Sequence, residues 1–296
     1  MSARAKSAPP RERSELAEAP QARLAVRDRP ERSERSRPHR DPGAFKLIEY
    51  NLLAARRYWR SVVIVGVVSP VLFVLALGVG LGKVVNTHGT DQLGVPYLDF
   101  VAPAFLSAAA LQVAANEATY PVMAGFKWLR YFHGMAATPL TPRQICDGTL
   151  LWIGLRVFVN SAVYLAIIAA FGGFPRAQTT LAVLAATLTG VAFAAPVLAL
   201  SASVEAEGQA FNILARFVVT PMFLFSGTFY PISQLPDWGR WLAWITPLWH
   251  GTELARAAAL GHLSAIAIVG HVAYLLAWLV VGLLLARWRF RWRIEK

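Results

Sequence analysis

Residues 264–286 read SAIAIVGHVAYLLAWLVVGLLLA and run directly into RWRFRWRIEK at 287–296. The first stretch holds no Asp, Glu, Lys or Arg. At about 1.5 Å of rise per residue, roughly 20 apolar residues match the hydrocarbon thickness of a bilayer. No water is present there to take up backbone hydrogen bonds, so the segment must be helical. The arginines that follow stop it at a charged interface. Similar stretches cover residues 61–81, 100–122, 149–171, 179–204 and 211–229. The chain is therefore expected to be an all-α polytopic membrane protein with six transmembrane helices, the first kinked at Pro70. Hydrophobic residues make up 56% of the chain and the mean hydropathy is +0.44, although the first forty residues are strongly polar.

A net charge of +12 and a pI near 10.4 would suit a nucleic-acid binder if the charge lay on one folded face. Instead the cations flank the apolar stretches, so their distribution reports topology and no nucleic acid is expected. With both termini inside, Lys127, Arg130, Arg143, Arg216 and the Arg287–Lys296 cluster are cytoplasmic, together with the basic amino-terminal region up to Arg60. The outer loops keep only Lys83, Arg176, Arg240 and Arg256. This places a multi-pass chain in the cytoplasmic membrane with both ends cytoplasmic. Trp238, Trp241, Trp244 and Trp249 then mark the outer interface, and Trp288 and Trp292 the inner one.

The flanking segments divide simply. Residues 1–42 are rich in Arg, Glu, Ser and Pro, have no apolar signal core, and read as a disordered basic cytoplasmic tail. A headgroup or partner tether through 27–40 is the competing reading of that tail. Residues 43–60 contain FKLIEYNLLAARRYW at 45–59, where Phe45, Ile48, Leu52 and Ala55 share one helical face; an amphipathic interface helix is expected. Residues 61–287 form the transmembrane domain and 288–296 a basic cytoplasmic tail. The lone Cys146 excludes an internal disulfide and reads as a reduced, inert thiol near the cytoplasmic face.

Two segments between spans carry mechanism. The cytoplasmic one, GFKWLRYFHGMAATPLTPRQICDG at 125–148, places Trp128, Tyr131, Phe132 and Met135 at helical spacing. An aromatic, basic helix below the membrane could be a knob for a cytoplasmic partner or a plain interfacial anchor. Thr141-Pro142 suits the start of the third spanning helix. The outer one, YPISQLPDWGRWLAWITPLWHGTELARAAALG at 230–261, contains two helical stretches, 237–245 and 248–260, each too short to span. Asp237 could cap the first. They form either a re-entrant hairpin between spans five and six or a pair lying flat; the many Trp and few charges favour the hairpin.

In this order and spacing the two segments resemble the permease subunits of type-2 ABC exporters. The first carries Ala137-Thr138-Pro139-Leu140-Thr141; the second carries Ser226, Gly227, Tyr230, Pro231, Leu235, Pro236, Trp238, Pro247, Leu248 and Arg256. The SPVLFVLALGVGLG run at 69–82, with Pro70, Gly78, Gly80 and Gly82, fits as well. The resemblance covers about residues 45–287 and is strongest to the branch with nodulation lipo-oligosaccharide exporters and daunorubicin-resistance permeases.

The resemblance implies a homodimer of permeases served by two copies of a separate ABC ATPase subunit. It implies a cytoplasmic coupling helix at 125–135, with Lys127, Trp128, Arg130, Tyr131, Phe132 and Met135. A smaller contact falls at 205–209, with Glu205 and Glu207. The outer segment would be built on Tyr230, Pro231, Pro236, Trp238 and Pro247. The path would run at the dimer interface, lined by the second and fifth spans, for an amphipathic cargo: a lipid-linked saccharide, another lipid or a hydrophobic drug. Consistently, the chain has no G-x-x-x-x-G-K-[ST] loop. ATP and Mg belong to the partner ATPase, and this chain needs no cofactor, catalytic residue or metal of its own.

Glu117 lies inside the span 100–122 and Arg156 inside the span 149–171. Either they pair, or Arg156 snorkels, or Glu117 relays protons. The relay would make the chain an ion-coupled secondary transporter, although no inverted repeat is evident. A lipid-modifying membrane enzyme would need clustered acids or metal ligands, and the acids here are scattered. His250 and Glu253 share a helix but lack a third ligand.

Overall fold

The computed structural model describes residues 43–56, 68, 71–72, 75–76, 80, 95–171, 179–205, 208–261 and 264–296. The tail 1–42, most of the expected span 61–81 with Pro70, and Glu207 lie outside the described residues. The helices in chain order are α1 (Gly43–Ala55), α2 (Tyr97–Ala118), α3 (Tyr120–Phe126), α4 (Tyr131–Ala136), α5 (Pro142–Ala170), α6 (Thr180–Ser203), α7 (Gln209–Ile213), α8 (Thr220–Phe225), α9 (Asp237–Ile245), α10 (Pro247–Leu260) and α11 (Ala265–Glu295). A π-helical turn, Leu214–Val219, joins α7 to α8, and a 3₁₀ turn, Ile232–Gln234, precedes α9. Among the described residues no strand occurs.

Helix α6 is apolar throughout and carries no charged side chain. Helices α2, α5, α10 and α11 all pack on it. Lipid supplies little hydrophobic force between helices, so close van der Waals approach through small residues has to hold them. A Cβ added at Gly190 of α6 would stand 2.9 Å from the Ala110 carbonyl of α2 and from Val157 of α5. One at Gly282 of α11 would meet the Pro196 ring of α6 at 2.5 Å, and one at Gly251 of α10 would overlap Thr189 of α6. Hydrogen bonds add to this contact. Ser107 Oγ of α2 donates to the Gly251 carbonyl at 3.0 Å, and Ser201 Oγ of α6 donates to the Ala118 carbonyl at 2.6 Å. The second bond falls where α2 ends at Thr119, whose ψ of −98° breaks the helix just before Pro121.

Among the described residues, four helical segments are long and apolar enough to cross a membrane: Tyr97–Phe126, Pro142–Ala170, Thr180–Ser203 and Ala265–Glu295. The expected fifth span, 211–229, is instead a shorter apolar helix, Gln209–Phe225. It rises only about 25 Å by helix geometry. Its π turn is marked by Thr220 Oγ1 donating to the Ala215 carbonyl at 2.9 Å.

Local signals set several boundaries. Thr141 caps α5 in a full capping box with Gln144, and Pro142 takes the first helical position, as the sequence suggests. Asp237, expected as a cap, is not one. Pro236 occupies the cap position, and Asp237 enters the first turn to pair with Arg240 at 3.4 Å. The basic segment 288–296, expected as a tail, continues α11 as helix. Arg291 pairs with Glu295 one turn on, and Arg287 makes a two-pronged ion pair with Asp147 of α5 at 2.7 and 2.8 Å. Helix α1 packs on α5 through Gly43 and Leu47, the latter against Gly148. The predicted apolar face, with Phe45 and Leu52, points away from the protein together with Leu53.

If close packing at Gly251 seats α10, Gly251→Ala should cost about 1–3 kcal/mol through overpacking. Thermal unfolding in nanodiscs would read this as a lowered midpoint. Gly270→Ala, where an added Cβ meets nothing within 4 Å, should leave the midpoint unchanged.

Candidate coupling surface and outer clamp

The aromatic stripe expected on one helix is split: Tyr131, Phe132 and Met135 lie on α4, and Trp128 lies in the turn before it. Arg130 adopts the left-handed conformation (φ 51°) and separates α3 from α4, so the chain turns back on itself. Gly125 permits this, because a Cβ there would strike the rings of Tyr131 and Phe132. Phe132, expected as part of a partner-facing surface, is 1% exposed. Its ring lies 4.7 Å from Phe126 and 5.4 Å from Phe290 of α11. The hairpin is thus bolted to α11 by an aromatic cluster, which Arg293 covers from 4.7 Å above Phe126. The turn between them presents the knob: Trp128 is 54% and Leu129 71% exposed.

The remaining predicted residues surround that turn. Tyr131 donates to the Pro121 carbonyl at 3.2 Å, and burial pushes its phenol up to about 12. Lys127 Nζ donates to the Glu205 carbonyl at 3.4 Å. Glu205 lies two residues beyond the end of α6, with Lys296 Nζ 4.0 Å from its carboxylate. Arg293 donates to the Ser201, Ala202 and Val204 carbonyls at 2.9–3.1 Å, satisfying the open end of α6 where a cation is favoured. The α3–α4 hairpin, the end of α6 and the end of α11 therefore form one unit at the same end of the helices.

Glu117 and Arg156 form an ion pair at 2.7 Å between α2 and α5. Glu117 also lines a small cavity of about 60 Å³, with Asn51, Tyr131, Met135 and Trp152 on its other walls. That space is large enough for a few water molecules. It lies between the interface helix, the hairpin and the spans.

On the far side of the molecule, Arg256 is the residue the sequence reading undervalued. Expected as an outer-loop charge, it is 3% exposed. Its Nε donates to the Phe100 carbonyl at 3.2 Å, one Nη meets Glu253 at 3.1 Å, and the other donates to the Gly227 carbonyl. The guanidinium also stacks 3.9 Å over the Phe100 ring. A planar fork can serve this many directions at once; an ammonium cannot. It holds the bend after α8, where Gly227 takes φ 71° and Ser226 and Thr246 hydroxyls meet at 3.3 Å. Tyr230 closes the bend by donating to the Leu224 carbonyl at 3.1 Å. Pro231 precedes the 3₁₀ turn, Trp238 lies edge-on to Phe225 at 5.7 Å, and Pro247 opens α10. The sequence motif included Arg256 without a role; the local signal for that role is its position in ELARAAAL, one cation three residues from one acid in an apolar stretch.

Among the described residues no group of three or more His, Cys, Asp or Glu is placed to hold a metal ion.

The profile of the ABC-2 type transporter family matches residues 44–260, from α1 through the α3–α4 hairpin to the end of α10. The chain belongs to this family. Nodulation protein J of Sinorhizobium fredii (strain NBRC 101917 / NGR234) is 30% identical over 244 residues, covering 77% of this chain and 89% of the relative. Nodulation protein J of Rhizobium leguminosarum bv. viciae is 27% identical over 247 residues, covering 83% and 93%. That of Bradyrhizobium diazoefficiens (strain JCM 10833 / BCRC 13528 / IAM 13628 / NBRC 14792 / USDA 110) is 29% identical over 213 residues, covering 71% and 78%. The expected resemblance to type-2 ABC permeases and their nodulation branch is met. ABC-2 permeases are membrane subunits that generally work with an ABC ATPase, and this chain is a multi-pass member of the family.

Arg256→Ala should leave buried carbonyls and Glu253 without their donor and cost about 3–5 kcal/mol. Arg256→Lys should recover only part of this. Yield of monodisperse protein and its unfolding midpoint, compared among the three chains, would check both.

Proposed function

We infer that this chain is the transmembrane permease subunit of an ATP-driven exporter that moves an amphipathic cargo out across the cytoplasmic membrane. The observation that carries the reading is the exposed Trp128-Leu129 turn, flanked by Lys127 and Arg130 and rigidly backed by Phe126, Phe132 and Phe290. An apolar tip on a stiff mount suits a groove on a separate ATPase subunit. ATP and Mg would be held there, with two ATPase copies serving two permeases. Glu205 and Glu207 would give a smaller contact.

A homodimer with a path between copies is supported by the exposed side of α2. Phe105 of α2 packs on Phe223 at 5.5 Å, and Tyr120, the first residue of α3, packs on Phe211 at 5.0 Å, so the α2–α3 segment touches the short helix Gln209–Phe225 near both of its ends. Between these contacts, on the same helical face, Gln112 and Asn116 are exposed and bonded to each other at 3.3 Å. The π turn of that short helix also exposes Arg216 and Phe217. Polar groups facing lipid are costly, so this stripe suits a second copy or a polar headgroup in transit. An acyl chain beside Phe217 and a saccharide or other polar head beside Gln112 fit an amphipathic molecule. Six spans, cytoplasmic termini and an α9–α10 hairpin dipping into the outer leaflet complete the reading. The shallow, Trp-rich α9 and the buried α10 support that hairpin.

The secondary-transporter reading loses its main support, because Glu117 is neutralised by Arg156. Glu117→Gln is expected to retain cargo transport in a folded protein. Loss of transport with an intact fold would revive the relay.

The coupling reading is tested by W128E. Membrane insertion and folding should be preserved, while pull-down of the ATPase subunit should fail. F132E, which charges the buried cluster, should instead damage folding. Retained ATPase association in W128E would overturn the reading.

A further inference from the structure

Outside the coupling surface and the clamp, the most specific constellation lies where α9, α10 and α11 meet. His250 Nδ1 of α10 is 2.8 Å from His271 Nδ1 of α11. The other nitrogen of His250, Nε2, is 3.0 Å from the Trp244 carbonyl of α9. A carbonyl only accepts, so Nε2 of His250 carries the hydrogen. In the neutral ring Nδ1 is then a lone pair, and His271 must donate to it from Nδ1–H. The geometry thus fixes both tautomers. Tyr274 stacks on His250 at 3.8 Å and 15° and donates from its hydroxyl to the Ile245 carbonyl, and Trp249 lies against both imidazoles at 4.7 and 5.0 Å.

We propose that His250 and His271 form a proton-sensitive latch that holds the α9–α10 hairpin to α11 and opens when His250 is protonated. A proton arriving at Nε2 of His271 leaves the bond intact, because Nδ1–H still donates. A proton at Nδ1 of His250 sets N–H against N–H and two cationic rings together, so the bond is lost. The hairpin then keeps its Arg256 clamp but loses its tie to α11. This inference does not depend on the exporter reading; it concerns a different part of the molecule.

The charges around the pair leave the latch intact at neutral pH. On α10 these are Glu253, which acts on the charge of His271, and Arg256, which is paired with Glu253. On α11 the nearby group is Tyr274. Helix α9 contributes Asp237 and Arg240, paired with each other toward its other end. Helices α6 and α8 have no titratable side chain, and α2 brings Asp99 near its start. Burial, and then the neighbouring His271, hold His250 down to about 4. In the opened state the imidazole would titrate near its ordinary ~6.5. The latch is therefore fully favoured above about 6.5. It is weakened by up to roughly tenfold per pH unit as the pH falls toward 4.

The test uses the full chain in nanodiscs, with nitroxides at Leu242→Cys on α9 and Val269→Cys on α11. Native Cys146 is buried and escapes the label. Pulsed dipolar distances at pH 7.5 and pH 5 are compared. The wild-type background should give one narrow distribution at pH 7.5 and a longer, broader one at pH 5. His271→Asn separates the latch from general acid effects. Its amide can offer N–H to neutral His250 or turn its oxygen to protonated His250, so it should remain narrow at both pH values. An unchanged distribution in the wild-type background, or an Asn variant that opens as much as wild type, would overturn the proposal.

Discussion

Close approach of helices to α6 is the constraint on which the rest depends. Helix α6 offers neighbours a surface of Ala, Gly and Thr, and each neighbour meets it with a small residue or a shallow groove of its own. In a bilayer this contact cannot be replaced by hydrophobic force, since lipid is as apolar as the helix. Because α2, α10 and α11 share this one support, their ends are positioned together. At one end of α6 the open carbonyls recruit Arg293 and lie beside the coupling hairpin. Toward the other, α10 carries Arg256 into contact with the start of α2 and the bend after α8.

That arrangement suggests how a push at one end could be felt at the other. The hairpin is packed against α11 through Phe290, and α11 lies along α6 for much of its length. Densely packed elements move as bodies rather than deform continuously. The looser element is Gln209–Phe225, with its π turn and many exposed side chains. A closely packed frame beside one irregular, sparsely packed helix gives the chain a place where a second packing costs few contacts. The charged contacts divide accordingly: the Arg287–Asp147 pair and the Arg293 bonds to carbonyls belong to the frame, whereas Glu117–Arg156 stands beside the small cavity next to α1.

Much of the fold was legible because membrane thickness and backbone satisfaction leave few options. The spans near 100–122, 149–171, 179–204 and 264–286 fall on helices, and the boundaries of α9 and α10 were nearly read from prolines alone. What failed did so for identifiable reasons. Helical spacing put Trp128 and Phe132 on one face, but the left-handed Arg130 intervenes, and an arginine there gives no sign of φ > 0 in advance. The basic end 288–296 read as a tail because its partners, Asp147 and the carbonyls after Ser201, lie far away in sequence. Arg256 was assigned to an outer loop by counting charges, which says nothing of the carbonyls that converge on it. The His250–His271 contact joins residues on different helices and has no local signature.

The most direct measurement of the central claim is ATP hydrolysis by this chain co-purified with an ABC ATPase subunit co-expressed from the same organism, in nanodiscs, with amphipathic lipids and drugs added in turn. The account predicts a stable complex with equal numbers of permease and ATPase subunits, whose hydrolysis rises with a subset of these molecules. A chain that purifies alone, binds no ATPase and moves its cargo down an ion gradient would contradict it.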